Sequence, residues 1–262
     1  MSRLNKHFIA GPWVGEFGWE LFAWQAYVRS LSRFFEKTTV ICRTNSSYLY
    51  EDFANDVIYC NPSGGRPDSF FMHGVNTDDL CRSVLHENKK PLNQKTVLFL
   101  PRRIGFPPAT HYKEEMRFGN YVIKPEYISY GDLGDTKYDY VFHIRDRSLR
   151  KEDNWDIMKW NGLRDLLGED KKIACIGTKN SAALVDGTTD MRDKPLKEVC
   201  DILKNTKCAF GPSSGPMHLA SLCGSSHVVW SRPENKNRYE SAWNPLSTKI
   251  LFLGEHSWHP DP

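Results

Sequence analysis

Two short stretches of this chain gather the residue types that chemistry at a phosphate or a hydroxyl group requires. In GPSSGPMHLASLCGSSHVVW, residues 211–230, serines, glycines and prolines surround one short apolar run. Ser213 or Ser214 can cap a helix that opens near Gly215, with Pro216 in its first turn. A helix start leaves backbone N–H groups without intrahelical acceptors and carries the positive end of the helix dipole. With a spare hydroxyl it becomes a seat for a phosphate, although the same residues also make a plain N-cap. His218 lies four residues beyond Ser214 and shares its helix face. It is either a second contact to the same anion or a packed histidine.

The stretch VGEFGWE, residues 14–20, supplies carboxylates instead. Glu16 or Glu20 can take the proton from a hydroxyl that attacks an electrophilic carbon, or can be first-turn acids favoured by the helix dipole. Gly15 and Gly18 allow close backbone approach or a tight turn. A third group follows YDYVFHIR at 138–145. There His143 and Arg145 alternate on one strand face, and Arg147, Arg150 and Lys151 crowd the loop beyond. Arg145 is the first choice for phosphate because a strand end fixes it and a guanidinium grips two oxygens at once. Arg150 and Lys151 fit a solvated loop better. Gly177, Thr178 and Lys179 end another strand and either line a nucleotide pocket or form a turn. Arg232, Asn237, Arg238 and Tyr239, within 231–245, come within reach of a sugar or its phosphates, yet that stretch reads more readily as surface loop.

These loops need elements to hold them, and the chain supplies an alternating series. Strands are expected at 7–11, 38–43, 56–60 and 95–101, with short helices at 48–54 and 78–86 and a longer one after the glycine-rich turn at 15–18. A second cycle begins with the strand at 138–145. It continues through a helix at 155–167, a strand at 171–177, a helix at 196–204, and a strand, helix and strand between 208 and 231. Residues 102–135, rich in Pro, Gly, Tyr and charge, make the linker. The expected domains are 1–135 and 136–262. Alternation of this kind implies parallel sheets with helices on both faces, and ligands of such sheets bind at the carboxyl ends of the strands.

Composition narrows the class of protein. In 262 residues with 40% hydrophobic and 26% charged residues, no apolar run nears the roughly 20 residues that span a bilayer. The start of the chain lacks a signal-peptide core, and seven cysteines without CxxC or zinc-like spacing read as reduced thiols, so a cytoplasmic location is expected. A formal charge of +3 does not by itself specify a nucleic-acid partner.

The run Ser213-Ser214-Gly215-Pro216-Met217-His218-Leu219-Ala220, with Gly224 and the strand 227–230 after it, resembles the Asp-Ser/Thr-Gly-Pro-x-His-Leu-Ala segment of the ADP-heptose:lipopolysaccharide heptosyltransferase family. Gly15-Glu16 is similar to that family's Gly-Asp after the first strand. The resemblance implies an α/β protein of the GT-B fold, two Rossmann-like domains facing a central cleft, the N-terminal one on the acceptor side and the C-terminal one holding the donor. It implies that Ser213, Ser214, Gly215, Pro216 and His218, with Arg145 and Lys151, seat the diphosphate of a nucleotide-sugar donor. Glu16 is then the base, Gly15, Glu20, Gly177, Thr178 and Arg238 line the substrate cleft, and Arg145 offsets the charge of the leaving group. Ser213 stands where the family usually carries Asp. Lys151 and Asn154-Trp155 resemble the family's Lys/Arg-x-Trp segment loosely, and His143-x-Arg145 is also similar to the donor segment of GT-B fucosyltransferases. The activity implied is inverting transfer without metal or other cofactor, the nucleotide-sugar being a co-substrate. The acceptor is expected to be a glycan, or else a hydroxymethylated DNA base stacked by Trp13, Trp19 and Trp24 and followed by Arg43, Arg66, Arg102 and Arg103. A nucleotide-sugar epimerase or hydrolase, and a noncatalytic sugar-nucleotide-binding module, share many of the same features.

Overall fold

A computed structural model describes residues 4–63, 66–68, 71–101, 116–118, 121–256 and 258–262. Residues 102–115, 119 and 120 of the expected linker, with Arg102 and Arg103 among them, lie outside the described residues. The chain divides into two compact units, Met1–Glu126 and Tyr127–Pro262. The division precedes the expected boundary because residues 127–135 bond to the second unit: the Tyr130 N–H donates to the Leu222 carbonyl at 2.9 Å. The Asp132 and Gly134 N–H groups donate to the side chains of Asp201 and Asn205, each at 2.8 Å.

The first unit is built on strands β1 (Leu4–Ala10), β2 (Phe35–Cys42) and β3 (Asp56–Tyr59), then β4 (Arg66–Asp68), β5 (Phe71–His73) and β6 (Thr96–Phe99). Four of these form a parallel sheet in the order β3-β2-β1-β6, and β4 and β5 pair separately as an antiparallel ribbon. Successive side chains of a strand point to opposite faces, and β1 illustrates the consequence. Ile9 joins Ile41, Ile58 and Leu100 under Cys81, Val84 and Leu85 of helix α3 (Thr77–Glu87). On the other side Phe8 stacks on Phe35 and packs at a tilt against Phe99, which in turn stacks on Trp24. Trp24 ends a π-helical turn, Glu20–Trp24, set between α1 (Phe17–Trp19) and α2 (Gln25–Ser32). The helix expected at 48–54 is instead a 3-10 helix at Thr44–Leu49 followed by turns. Asn and two serines at its start favour local side-chain bonds over α-helix.

The second unit follows a short antiparallel pair, β7 (Met116–Phe118) and β8 (Tyr121–Ile123). Its strands are β9 (Tyr140–Phe142), β10 (Ile173–Gly177), β11 (Thr189–Arg192), β12 (Cys208–Pro212), β13 (His227–Trp230) and β14 (Ile250–Leu253). They form one parallel sheet in the order β11-β10-β9-β12-β13-β14. Numbered within the unit this is 3-2-1-4-5-6, the Rossmann order. Phe142, Ile173 and Cys175 pack with Trp155, Trp160 and Trp230 beside α4 (Ile157–Leu167). Helix α5 (Leu196–Lys204) and α6 (Gly215–Cys223) complete the unit. Strands β11 and β14 have no counterpart in the sequence reading. Each is only four residues long; charged residues interrupt the apolar pattern of β11, whereas β14 is an uninterrupted apolar run, Ile-Leu-Phe-Leu, open to a strand reading.

Candidate functional site

In a sheet of order 3-2-1-4 the chain leaves the first and fourth strands in opposite directions, and a crevice opens beyond their carboxyl ends. In the second unit that point lies between β9 and β12. The loops after these strands are the basic run from His143 to Lys151 and the Ser213-Ser214 turn. Topology thus brings together two groups of candidate residues that are about seventy positions apart. The first unit has the same feature between β1 and β6, and Gly15-Glu16 follows β1.

Ser214 occupies the N-cap of α6, with extended backbone, but its side chain does not make the expected cap bond. Its Oγ is buried and has no hydrogen-bond partner among the described residues. The Ser214 N–H donates to the hydroxyl of Tyr239 at 3.1 Å, and that hydroxyl donates to Ser213 Oγ at 3.0 Å. Pro216 in the first turn has no N–H, so the helix start presents those of Gly215 and Met217. His218 is buried, stacked on the Tyr239 ring at 4.3 Å and set edge-on to Trp243 at 4.5 Å. Burial first, then Arg238 and His227, hold its pKa well below the ordinary histidine value. It is a neutral ring behind the serine turn, suited to packing rather than to meeting an anion as a cation.

The stretch after β13 departs from the surface-loop expectation. Arg238–Ala242 is a π-helical turn, Tyr239 and Trp243 are fully buried, and half-buried Arg238 lies over the Trp243 ring at 5.0 Å. The signal was present in the sequence: Tyr239 and Trp243 stand four apart, the spacing of one helix face. Π-helical turns are rare and cluster at functional sites.

Strand β9 ends at Phe142, so His143 and Arg145 do not share a strand face as expected; they lie in the loop, and both are buried. His143 Nδ1 bonds the Ile176 carbonyl at 3.2 Å, and burial lowers its pKa to about 4. The Arg145 guanidinium donates to the carbonyls of Arg150 (3.0 Å) and Leu149 (3.2 Å) and to the side-chain oxygen of Asn154. Those bonds tie its charge into the loop rather than leaving it open to grip phosphate. Half-buried Arg147 and exposed Lys151 are carried on the loop so fixed, and Trp155 lies in the core. Gly177 takes a φ of +129°, and a Cβ there would come within 2.8 Å of Ala182 and 3.2 Å of His143 Nδ1. Thr178 is exposed and bonds Asn180 at 2.7 Å, closing a turn at this edge.

In the first unit, Gly11 follows β1 with a φ of +105°, and a Cβ there would meet the Ile41 carbonyl oxygen at 2.1 Å. Only glycine lets the chain turn so close to β2. Arg43 then holds the loop by donating to the Val14 carbonyl at 2.6 Å and the Gly15 carbonyl at 2.9 Å. Glu16, half-buried, sits at the N-cap of α1 without a side-chain cap bond. Glu20, expected on the same face, is fully buried and accepts from Ser46 at 2.9 Å and Tyr50 at 2.8 Å. Burial raises its pKa to about 7, against the opposing pull of Arg43, Tyr50 and Ser46. The two acids therefore part company: Glu16 is the accessible one and Glu20 supports the turn. Trp13, Trp19 and Trp24 are also buried, and Trp13 stacks on Trp24 at 5.7 Å. They form core and offer no open stacking platform.

Among the described residues no group of three or more His, Cys, Asp or Glu is arranged to hold a metal ion, and no helix is long and apolar enough to cross a membrane. No protein-family model and no curated protein matches the sequence. Among solved structures the chain is similar to a glycosyl transferase family 9 protein from Veillonella parvula DSM 2008, with a TM-score of 0.62, 13% identity, and coverage of 97% of this chain and 88% of that one. It is also similar to E. coli ADP-heptose LPS heptosyltransferase II, with a TM-score of 0.58, 12% identity, and coverage of 95% and 90%. At such identities the likeness is one of fold. The α/β architecture of two Rossmann-like units is that of GT-B glycosyltransferases, the fold implied by the serine-turn resemblance.

Proposed function

We propose that the protein is a glycosyltransferase that moves a sugar from a nucleotide-sugar donor to an acceptor hydroxyl, with inversion and without a metal. The observation that carries this reading is the pairing, at the Rossmann switch point of the second unit, of a cationic loop after β9 with a hydroxyl-bearing helix start after β12. Anion-binding groups of two kinds converge there on the place where this fold receives nucleotides. The glycosyltransferase fold and the resemblance of Gly15-Glu16 support the same reading from the first unit.

In the reaction, the acceptor oxygen bonds to the anomeric carbon from the face opposite the diphosphate. The bond from that carbon to the diphosphate oxygen breaks, and its electron pair leaves with the nucleoside diphosphate. Glu16 takes the acceptor proton. The Gly215 and Met217 N–H groups, the Ser213 and Ser214 hydroxyls, Arg147 and Lys151 receive the charge that develops on the leaving group. Gly177, Thr178 and Arg238 border the donor, His218 backs the serine turn, and Arg145 shapes the basic loop. Glu20 and Arg43 shape the turn that presents Glu16. A glycan is the acceptor, since burial of the three tryptophans removes the stacking surface that a DNA base would use. The cytoplasm, where nucleotide sugars are made, is the compartment.

A thermal-shift screen of nucleoside diphosphates and nucleotide sugars tests the donor site, since a ligand of the folded state raises stability with the logarithm of its concentration over its affinity. Stabilisation by one such compound is expected; none across the panel refutes the reading. Turnover of the donor without acceptor to an epimer or free sugar would instead assign an epimerase or hydrolase. Binding without any turnover would assign a binding module.

A further inference from the structure

We propose that Tyr239 is a positioning residue of the diphosphate seat: its hydroxyl directs the Ser213 proton toward the bound diphosphate and withdraws the Ser214 N–H from it. The proposal rests on the donor-site reading above.

The argument is one of hydrogen-bond valence. A phenol has one proton to give and lone pairs to accept with. The Ser214 N–H, 3.1 Å away, can only donate, so the Tyr239 oxygen accepts from it. The phenol proton then goes to Ser213 Oγ at 3.0 Å. Burial raises the Tyr239 pKa to about 12, so that proton stays in place across the working range of pH. Ser213 Oγ, already an acceptor on this side, is left to act as a donor with its own proton. The Ser213 N–H is engaged with the Trp230 carbonyl at 2.9 Å, which fixes the backbone from which the hydroxyl projects. Ser214 Oγ, buried beside it without a partner among the described residues, is a second hydroxyl able to donate.

The seat therefore receives an anion through donors alone: two hydroxyls and the Gly215 and Met217 N–H groups. Where the resembling family carries an acid, which can only accept, this chain has a serine turned into a donor by a tyrosine from a distant element. The ring is held for that task by stacking on His218 with an interplanar angle of 12° and by packing on Phe252 at 5.9 Å. Burial of the neutral histidine thus acquires a purpose in fixing the phenol.

Calorimetric titration of the full chain with inorganic pyrophosphate tests this. Tyr239→Phe keeps the ring and removes the hydroxyl, and its Kd is expected to rise roughly five- to tenfold, the worth of one hydrogen bond in a polar network. Ser213→Ala is expected to lose at least as much. Because Tyr239 acts through Ser213, the double variant should bind no more weakly than Ser213→Ala alone. Losses that multiply, or a Tyr239→Phe protein that binds as the wild type does, overturn the proposal. Should Tyr239→Phe fail to fold, Ser213→Thr, which restores the hydroxyl, must bind within about twofold of wild type while Ser213→Ala does not; equal binding by the two overturns it. A wild-type protein that fails to bind pyrophosphate brings down the donor-site reading and this proposal together, whereas wild-type binding unaltered by Tyr239→Phe removes only the role of Tyr239.

Discussion

The loop after β1 in the first unit and the loop after β9 in the second occupy the same place in two sheets of the same core order, 3-2-1-4, yet they are built with opposite charge. The first presents Glu16 and is backed by a second, buried acid, Glu20, whose oxygens are bonded by Ser46 and Tyr50. The second presents Arg147 and Lys151 and is backed by a buried base, Arg145, bonded to the carbonyls of Leu149 and Arg150 and to Asn154. In each loop one ionisable side chain is buried and hydrogen-bonded, and a neighbour in sequence reaches the surface. Topology decides where the loop emerges, the buried charge decides its shape, and the outer charge decides what it can do. The proposed transfer calls for a carboxylate that accepts a proton and cations that stabilise a departing diphosphate, and the two loops carry one kind each.

The largest expected effect separates the outer acid from the inner one. Glu16→Gln should lower the rate of transfer by about a thousandfold while nucleoside diphosphate binding is unchanged, since a positioned base contributes roughly 10²–10⁴. If Glu20→Gln gave that loss of rate and Glu16→Gln did not, the assignment of presented and supporting acids would be reversed. The matching experiment on the basic loop is Arg145→Ala. Removing the guanidinium takes the donor from two carbonyls and an amide oxygen in a partly buried setting, and a loss of about 2 kcal/mol in denaturant unfolding is expected. Loss of donor affinity with stability intact would instead make Arg145 a direct phosphate ligand and undo the parallel with Glu20.

The sequence made the frame readable because apolar strands and glycine-rich turns recur in it with regular spacing. The strand of CAFGP and the helix expected at 196–204 have those same bounds in the structure. What it concealed were facts of direction. Glu16 and Glu20, or Ser214 and His218, look alike when only spacing four apart is considered. A π-helical turn at Glu20–Trp24 and a stacked tyrosine from after β13 turn one member of each pair inward. Arg145 looked like the best anchored cation for the same reason that it is unavailable: the strand end that fixes it also surrounds it with carbonyls. Tyr239 could not be paired with the serine turn by local reasoning, since it lies 25 positions beyond Ser214, past a helix and a strand.

The buried acid and the buried histidines should also respond to pH in opposite senses. Glu20 has a folded pKa near 7 against an ordinary value of 4.5. Between those values the folded state holds a proton that the unfolded state has lost, so this group's contribution falls as pH rises from about 4.5 to 7, by about 3 kcal/mol in all. His143 and His227 have the reverse sign: burial lowers each to about 4. Between 6.5 and 4 the unfolded chain takes up protons that the folded ring refuses, and stability is lost as pH falls. Unfolding free energies of the full chain from pH 4.5 to 8 should therefore combine a decline from Glu20 as pH rises toward 7, which Glu20→Gln removes, with an opposing decline from the histidines as pH falls below 6.5, which it leaves. Persistence of the first decline in Glu20→Gln would assign it to another group.

The smallest effect is the most specific to the comparison, because it concerns an outer charge alone. Lys151 is exposed, and among the described residues no bond from its side chain supports the loop in the way the guanidinium of Arg145 does. Lys151→Ala should leave unfolding free energy within about 0.5 kcal/mol of wild type. Its effect on pyrophosphate affinity should be a few-fold weakening at low ionic strength that fades toward 0.5 M salt, where screening acts within a few ångströms. Arg145→Ala, by contrast, should lose stability at either salt concentration, because its bonds to carbonyls are partly buried and short-ranged. Equal salt sensitivity in the two variants would mean that the loop does not divide into an inner support and an outer ligand, and the likeness to the Glu16 and Glu20 pair would then be one of position only.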